Sequence, residues 1–139
     1  MSSLQVKEIK NVRKISLFIA MSLDGYIADS KGGVDWLKGQ GDDNEHVSSE
    51  KIQFVNINPG SLVKRLKEED GKDIWICGGA NLVQQLVNEN LIDCYYITII
   101  PTILGSGIRL FKNIKHEIEL RLLNTRSYNG MTDLIYVRR

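Results

Sequence analysis

The chain has 139 residues, of which 42% are hydrophobic and 25% are charged. This length and composition indicate one folded domain with its own core and exclude a disordered or fibrous protein. Its 18 Lys and Arg residues nearly balance 17 Asp and Glu residues, which leaves a net charge of +1. Binding to the phosphate backbone needs a basic surplus, so nucleic acid is not expected as the main partner, although a local basic patch is not excluded.

The cysteine and histidine positions favour a reduced protein without a metal centre. Cys77 and Cys94 each stand in an apolar run, and their spacing fits neither a redox nor a zinc motif, so we expect them to be reduced and buried. Two reduced cysteines without a disulfide predict a cytoplasmic protein. His46 and His116 lie far apart, without other ligands at a useful spacing, so no metal site is predicted.

The first half of the chain combines one buried strand with long polar segments. Residues 1–13 are polar and aperiodic and are predicted to form a flexible leader. Residues 14–21 form an apolar run that stops at Asp24-Gly25, typical of a strand buried on both faces and too short to span a membrane, which takes about 20 residues. Residues 29–50 are predicted to be loop with a helical turn at 34–38, followed by a short strand at 52–55.

The middle of the chain alternates helices with strands. Asn58-Pro59 is a typical helix start, and Gly71 is the predicted end of that helix. A strand at 73–77 leads through Gly78-Gly79 into a second helix that should stop near Asn90. The next predicted strand covers 95–100.

The end of the chain has the pattern of an antiparallel hairpin. Apolar and polar residues alternate on both sides of Asn129-Gly130, the pair that favours a two-residue hairpin turn. The order of these strands and helices along the chain predicts an α/β fold that forms a single domain over residues 14–139. The predicted domain has a mainly parallel sheet flanked by helices, with an antiparallel C-terminal hairpin.

Three glycine-bearing turns follow predicted strands and would lie on one rim of the sheet, where α/β proteins bind ligands. Gly78-Gly79 enters a helix directly and could hold a phosphate, or be only a tight connection. The turn from Leu104 to Gly107 is either a flexible connection or part of a ligand site. Asp24 could orient a substrate or relay a proton, or be an ordinary turn residue; Trp36 could cover the crevice or anchor its loop.

Three segments together resemble a known family. These are Ile19–Ala28 followed by 34–37, then Ile74–Ala80, then Ile97–Phe111. They are similar, in the same order, to blocks of the dihydrofolate-reductase-like family, which includes the C-terminal reductase domain of the riboflavin-biosynthesis deaminase-reductase. They cover about two thirds of the chain.

The resemblance implies an NADPH-dependent reductase acting on a small heterocyclic or carbonyl substrate, pterin-like or ribosylaminopyrimidine-like. It matches Ala20 and Ile27 to the backbone that holds the nicotinamide. It assigns the pyrophosphate-binding turn to Gly78, Gly79, Ala80, Asn81 and Leu82. It assigns the substrate side to Asp24, Trp36, Leu104, Gly105, Ser106 and Gly107. The alternative is a non-catalytic module of the same fold that binds a nucleotide or serves in oligomerisation.

Two expectations concern the whole domain. The family carries additional helices and strands at a point between His46 and Ser49, so we expect a segment near 46–50 to be missing from this sequence relative to the family. Leu134, Ile135, Tyr136 and Val137 are consecutive and put apolar side chains on both faces of the last strand. We therefore expect a homodimer built on this hairpin.

Overall fold

A central five-stranded sheet organises the computed structural model, which describes residues 13–37 and 52–139. The elements are β1 (Ile15–Ser22), β2 (Tyr26–Ala28), α1 (Pro59–Glu68), β3 (Ile74–Ile76), α2 (Ala80–Asn88), β4 (Cys94–Ile100), β5 (Ile108–Arg109), β6 (Leu120–Tyr128) and β7 (Met131–Arg138). A single 3-10 turn, Asp35–Leu37, follows β2. The predicted leader and the expected missing segment near 46–50 lie outside the described residues, apart from residue 13.

The sheet has the strand order β3-β1-β4-β7-β6, and β2 pairs with β5 in a separate small sheet. The strand β1 runs parallel to both β3 and β4, whereas β7 is antiparallel to β4 and β6. The predicted α/β fold with an antiparallel C-terminal hairpin is therefore confirmed.

The core lies between one face of the sheet and the two helices. Ile15 and Leu17 of β1 are fully buried there. The helices contribute Val63 from α1, and Val83 and Leu86 from α2, to the same cluster. No helix in the described part of the chain is long and apolar enough to cross a bilayer.

The starts of the predicted local elements are confirmed. The Asn58 side chain accepts a hydrogen bond from the Ser61 backbone N–H at 3.1 Å, and Pro59 is the first residue of α1. At the hairpin, Asn129 and Gly130 have φ values of 50° and 80°. Positive φ at both central residues defines the turn that matches the twist of paired strands.

The helix α1 ends earlier than predicted, whereas α2 ends near the predicted residue. The helix α1 stops at Glu68, before Gly71, because the Glu69 N–H turns back to the Leu66 carbonyl at 3.1 Å. The helix α2 stops at Asn88, before Asn90, which adopts a positive φ of 57°.

Two predictions made from apolar runs are wrong. Residues 52–55 form no strand, and Ile52, Phe54 and Val55 are exposed to 43%, 95% and 50%. Strand formation needs a partner edge, and no strand of the described residues pairs with them. Cys77 is exposed and lies two residues after Trp75, which is itself 67% exposed within β3, and Cys94 is only half-buried; both are free cysteines.

Candidate functional site

The turn after β3 leaves open space at the start of α2. Gly78 has a φ of +120°, a conformation that other residues rarely adopt, and a cis peptide bond joins it to Gly79. A Cβ atom placed on Gly79 would meet no atom within 4 Å. A ligand can therefore approach the backbone of this turn closely.

The first turn of α2 also has no internal cap. Gly79 occupies the N-cap position and provides no side-chain hydrogen bond, whereas α1 is capped by Asn58. The first N–H groups of a helix, together with its dipole, favour an anion. The amides of Ala80, Asn81 and Leu82 are the groups that such an anion would meet.

A carboxylate ties two other turns together. The Ser22 hydroxyl donates to Asp24 Oδ1 at 2.6 Å, and the Leu104 N–H donates to the same oxygen at 3.2 Å. The Gly105 N–H donates to Asp24 Oδ2 at 2.8 Å. The hydrogen bond from Ser22 is the main reason why the pKa of Asp24 lies below its ordinary value, and the two backbone donors add to it. The carboxylate is therefore ionised and already engaged by three donors.

Backbone contacts make the same two turns one packed unit. The Leu23 N–H donates to the Thr102 carbonyl at 2.9 Å, and the Leu110 N–H donates to the Gly25 carbonyl at 3.1 Å. A Cβ atom on Gly107 would overlap the Ala28 carbonyl oxygen. Only glycine permits this approach, so Gly107 has a structural reason to be glycine.

A cavity of about 610 Å³ joins the start of α2 to the Gly107 turn. Its walls include Tyr26, Ala80, Asn81, Ser106, Gly107 and Arg109. Residues predicted for the cofactor side and for the substrate side thus share one cavity. Its size is within the range of about 300–1,000 Å³ usual for small-molecule sites.

The family follows from a comparison with known domains. Residues 40–134 match the family described as the RibD C-terminal domain. The chain belongs to this family. The predicted resemblance to the reductase domain of the riboflavin-biosynthesis deaminase-reductase is confirmed.

Two similar proteins come from Bacillus subtilis. The uncharacterized protein YwjB is 35% identical over 171 aligned positions, which cover 91% of this chain and 98% of that protein. This alignment is longer than the 139-residue chain, so it contains YwjB positions without a counterpart here. The uncharacterized protein YyaP is 39% identical over 84 residues, covering 60% of this chain and 45% of YyaP.

Solved structures share the fold at low sequence identity. A putative riboflavin biosynthesis protein from Shewanella sp. PV-4 superposes with a TM-score of 0.73 at 20% identity, covering 91% of this chain and 99% of that chain. The riboflavin biosynthesis reductase Rib7 of Saccharomyces cerevisiae gives a TM-score of 0.59 at 18% identity, covering 95% of this chain and 91% of that one.

Several predicted site residues of this RibD C-terminal domain do not line the cavity. Ala20 stands in β1 opposite Thr98. Ile27 and Leu82 pack against the core. Trp36 lies in the 3-10 turn after β2, and its buried Nε1 has no hydrogen-bond partner among the described residues.

Sequence reasoning missed five polar residues of the cavity wall. These are Tyr26, Gln84, Arg109, Lys112 and Asn113. The two basic residues follow the glycine turn within a few positions, and this spacing was a usable signal. Gln84 lies in the middle of α2 beside the exposed Gln85, so nothing in the local sequence distinguishes it from an exposed helix residue.

Proposed function

We propose that this RibD C-terminal domain is a cytoplasmic NADPH-dependent reductase that acts on a small heterocyclic or carbonyl substrate. Pterin-like and ribosylaminopyrimidine-like compounds are the substrate classes that the family resemblance suggests. The observation that carries the proposal is the uncapped start of α2 behind an open glycine turn. This start of α2 lines the same cavity as the turn from Leu104 to Gly107, which Asp24 holds through hydrogen bonds.

The open turn fits the pyrophosphate of a dinucleotide cofactor. In this proposal the backbone of Gly78, Gly79 and Ala80 lies against the pyrophosphate, and the N–H groups up to Leu82 face its charge. The backbone at Ala20 and Ile27 holds the nicotinamide. NADPH supplies the hydride when bound, so the chain has to bind, orient and exclude water rather than provide a nucleophile.

On the substrate side, we assign Asp24 a positioning role. Its carboxylate is ionised and accepts hydrogen bonds from the Leu104 and Gly105 backbone. A group in this state holds the turn from Leu104 to Gly107 in place and is a poor proton donor. Trp36 completes the proposed substrate side from the loop after β2.

The cofactor turn can be tested with Gly79→Val. The valine side chain would fill the open space in front of the turn, while the ordinary φ of Gly79 leaves the fold unstrained. We expect NADPH binding, measured by cofactor fluorescence, to weaken at least tenfold, which corresponds to about 1.4 kcal/mol.

Ser61→Val in the first turn of α1 is the matched control and should leave the NADPH affinity unchanged. Circular dichroism verifies that both variants are folded. If Gly79→Val and the parent bound NADPH with equal affinity, Gly78-Gly79 would be only a tight connection between β3 and α2. Binding without any NADPH oxidation across pterin and aminopyrimidine substrates would favour the alternative, a non-catalytic nucleotide-binding module.

A further inference from the structure

The last residue of α2 binds the segment of chain that continues from the wall of the shared cavity. The Asn88 side-chain NH₂ donates to the Asn113 carbonyl at 3.1 Å, and Asn88 Oδ1 accepts from the Lys115 N–H at 2.8 Å. A ring nitrogen of His116 lies 3.4 Å from the Asn88 carbonyl oxygen. One residue of α2 thus contacts three of the four residues at 113–116.

The segment that Asn88 binds, residues 111–118, lacks regular backbone partners. It connects the fully buried Leu110 to the neighbourhood of β6. None of its residues is buried, and only Ile114 and Ile118 are half-buried, against the core. Among the described residues it forms no backbone–backbone hydrogen bond. The Asn88 carboxamide offers one acceptor and a donor at once, and it therefore serves the segment as a neighbouring strand would.

Packing alone does not fix the position of this segment. A cavity of about 300 Å³ adjoins it, with walls that include Val87 of α2, Tyr95 of β4, and Phe111 and Ile114 of the segment. Side chains that face empty space lose the contacts that would hold them in one place. The segment is therefore anchored loosely by its half-buried isoleucines, and the hydrogen bonds of Asn88 determine where it lies.

The position of this segment matters for the shared cavity. Lys112 and Asn113 line that cavity together with Ala80 and Asn81 from the start of α2, whereas Asn88 does not line it. One helix thus carries ligand-facing residues at its start and, at its end, the side chain that holds another part of the cavity wall. A shift of the segment would change the width of the cavity.

We propose that Asn88 is a positioning residue of the shared cavity, which holds the wall at Lys112 and Asn113 at the distance from α2 that fits the ligand. The inference rests on the proposed function for the identity of that ligand, NADPH. A preformed wall reduces the ordering cost of binding. Loss of the Asn88 hydrogen bonds should therefore weaken binding although no group that touches the ligand has changed.

The test compares Asn88→Leu with the parent chain. Leucine has a similar size but neither donor nor acceptor, and the half-buried isoleucines of the segment remain. We expect the Lys115 amide proton to exchange about tenfold faster by NMR and the amide resonances of residues 109–113 to shift. NADPH affinity, measured by cofactor fluorescence, should fall about fivefold. Asn88→Asp keeps the acceptor for the Lys115 N–H but not the donor for the Asn113 carbonyl, so it should keep Lys115 protected and bind NADPH with intermediate affinity.

Asn58→Ala is the control for a merely structural effect. It removes the cap of α1 and should lower the melting temperature, but it does not touch residues 111–118 and should bind NADPH as the parent does. Equal weakening in Asn58→Ala and Asn88→Leu would overturn the proposal, because stability alone would then explain the loss. Unchanged exchange of the Lys115 amide, or unchanged NADPH affinity, in Asn88→Leu would overturn it as well.

A parent chain that binds no NADPH would contradict the proposed function and would be recognised by that result alone. The resonances of residues 109–113 would then decide on Asn88. Shifts at these positions in Asn88→Leu, absent in Asn58→Ala, would support its positioning role, and unshifted resonances would reject it.

Discussion

At the scale of single residues, Asp133 is the most heavily hydrogen-bonded carboxylate among the described residues. It is fully buried. Its donors are Thr98 at 2.7 Å, Tyr96 at 3.0 Å, and Tyr128 and Arg126 at 3.2 Å each. Burial acts to raise the pKa of Asp133, but these hydrogen bonds outweigh it and hold the pKa below its ordinary value. The charge is therefore kept on folding and links β4, β6 and β7.

Replacing this carboxylate should destabilise the C-terminal half of the sheet. In Asp133→Asn one acceptor oxygen becomes a donor facing other donors. We expect a loss of about 2 kcal/mol in the free energy of unfolding, measured by urea denaturation. Asp70→Asn, at an exposed position, is the matched control and should change stability by less than about 0.5 kcal/mol. Equal stability of Asp133→Asn and the parent would show that the cluster contributes nothing net.

The same cluster predicts how stability depends on pH. A carboxylate whose folded pKa is depressed stabilises the fold above its unfolded pKa, which is about 3.9 for Asp. This stabilisation is lost as the pH falls through the folded value. The unfolding free energy of the parent should therefore decrease below about pH 4, more steeply than that of Asp133→Asn. If the unfolding free energies of the parent and of Asp133→Asn decreased in parallel with falling pH, Asp133 would not be the source of this pH dependence.

At the scale of elements, the caps show where local sequence is sufficient. Asn58-Pro59 and Asn129-Gly130 act through bonds and torsions within four residues, so the sequence pattern predicted both correctly. The strand predicted at 52–55 failed because apolar residues cannot reveal whether a partner edge exists. The buried state predicted for Cys77 failed because an apolar run does not show which face of the strand is covered, and Cys77 follows the alternation of Trp75, which is 67% exposed.

The candidate site shows the same difference between local features and features that depend on long-range contacts. The glycine turns could be recognised from sequence because backbone conformation is a local property. The cavity wall could not, since Gln84 and Arg109 are 25 positions apart and meet only after α2 and the Gly107 turn have packed. The engagement of Asp24 by Leu104 and Gly105 depends equally on long-range contacts.

The cap of α1 gives a direct test at this scale. Asn58→Ala removes the acceptor for the Ser61 N–H. We expect a loss of about 1 kcal/mol in unfolding free energy, the usual value for an N-cap side chain. Asn56→Ala, two residues before the cap and exposed, should be neutral in the same denaturation experiment. A neutral Asn58→Ala would mean that water caps this helix equally well.

At the scale of the whole molecule, one face of the sheet carries no helix of the described residues. Phe18 stacks on Tyr96 with ring centres 4.9 Å apart and contacts Trp75 at 4.7 Å. Trp75 is 67% exposed. Ile135 pairs with Tyr96 and therefore lies on the same face. Together these side chains form an apolar surface that a second copy of the chain could cover, as in the predicted homodimer.

This homodimer, built on the C-terminal hairpin, is our proposal for the assembly. Ile135→Lys would place a charge in the middle of the apolar surface, so we expect light scattering at micromolar concentration to change from dimer to monomer. Leu122→Lys is the matched control because Leu122 pairs with Tyr136 and lies on the opposite face. It should remain dimeric. A monomeric parent protein would remove the proposal, and thermal melting verifies that both variants fold.

The central position of β1 has a consequence for the order of folding. This strand is the first among the described residues, yet Leu17 pairs with both Ile76 and Tyr95. The Ile15 N–H donates to the Asp93 carboxylate at 2.9 Å, across 78 positions of sequence. During synthesis, β1 therefore leaves the ribosome long before β3 and β4. Until these strands follow, β1 is an unpaired apolar segment. Non-local parallel pairing is slow to form, so the apolar sequence of β1 is open to intermolecular pairing on the ribosome and during refolding until β3 and β4 are available.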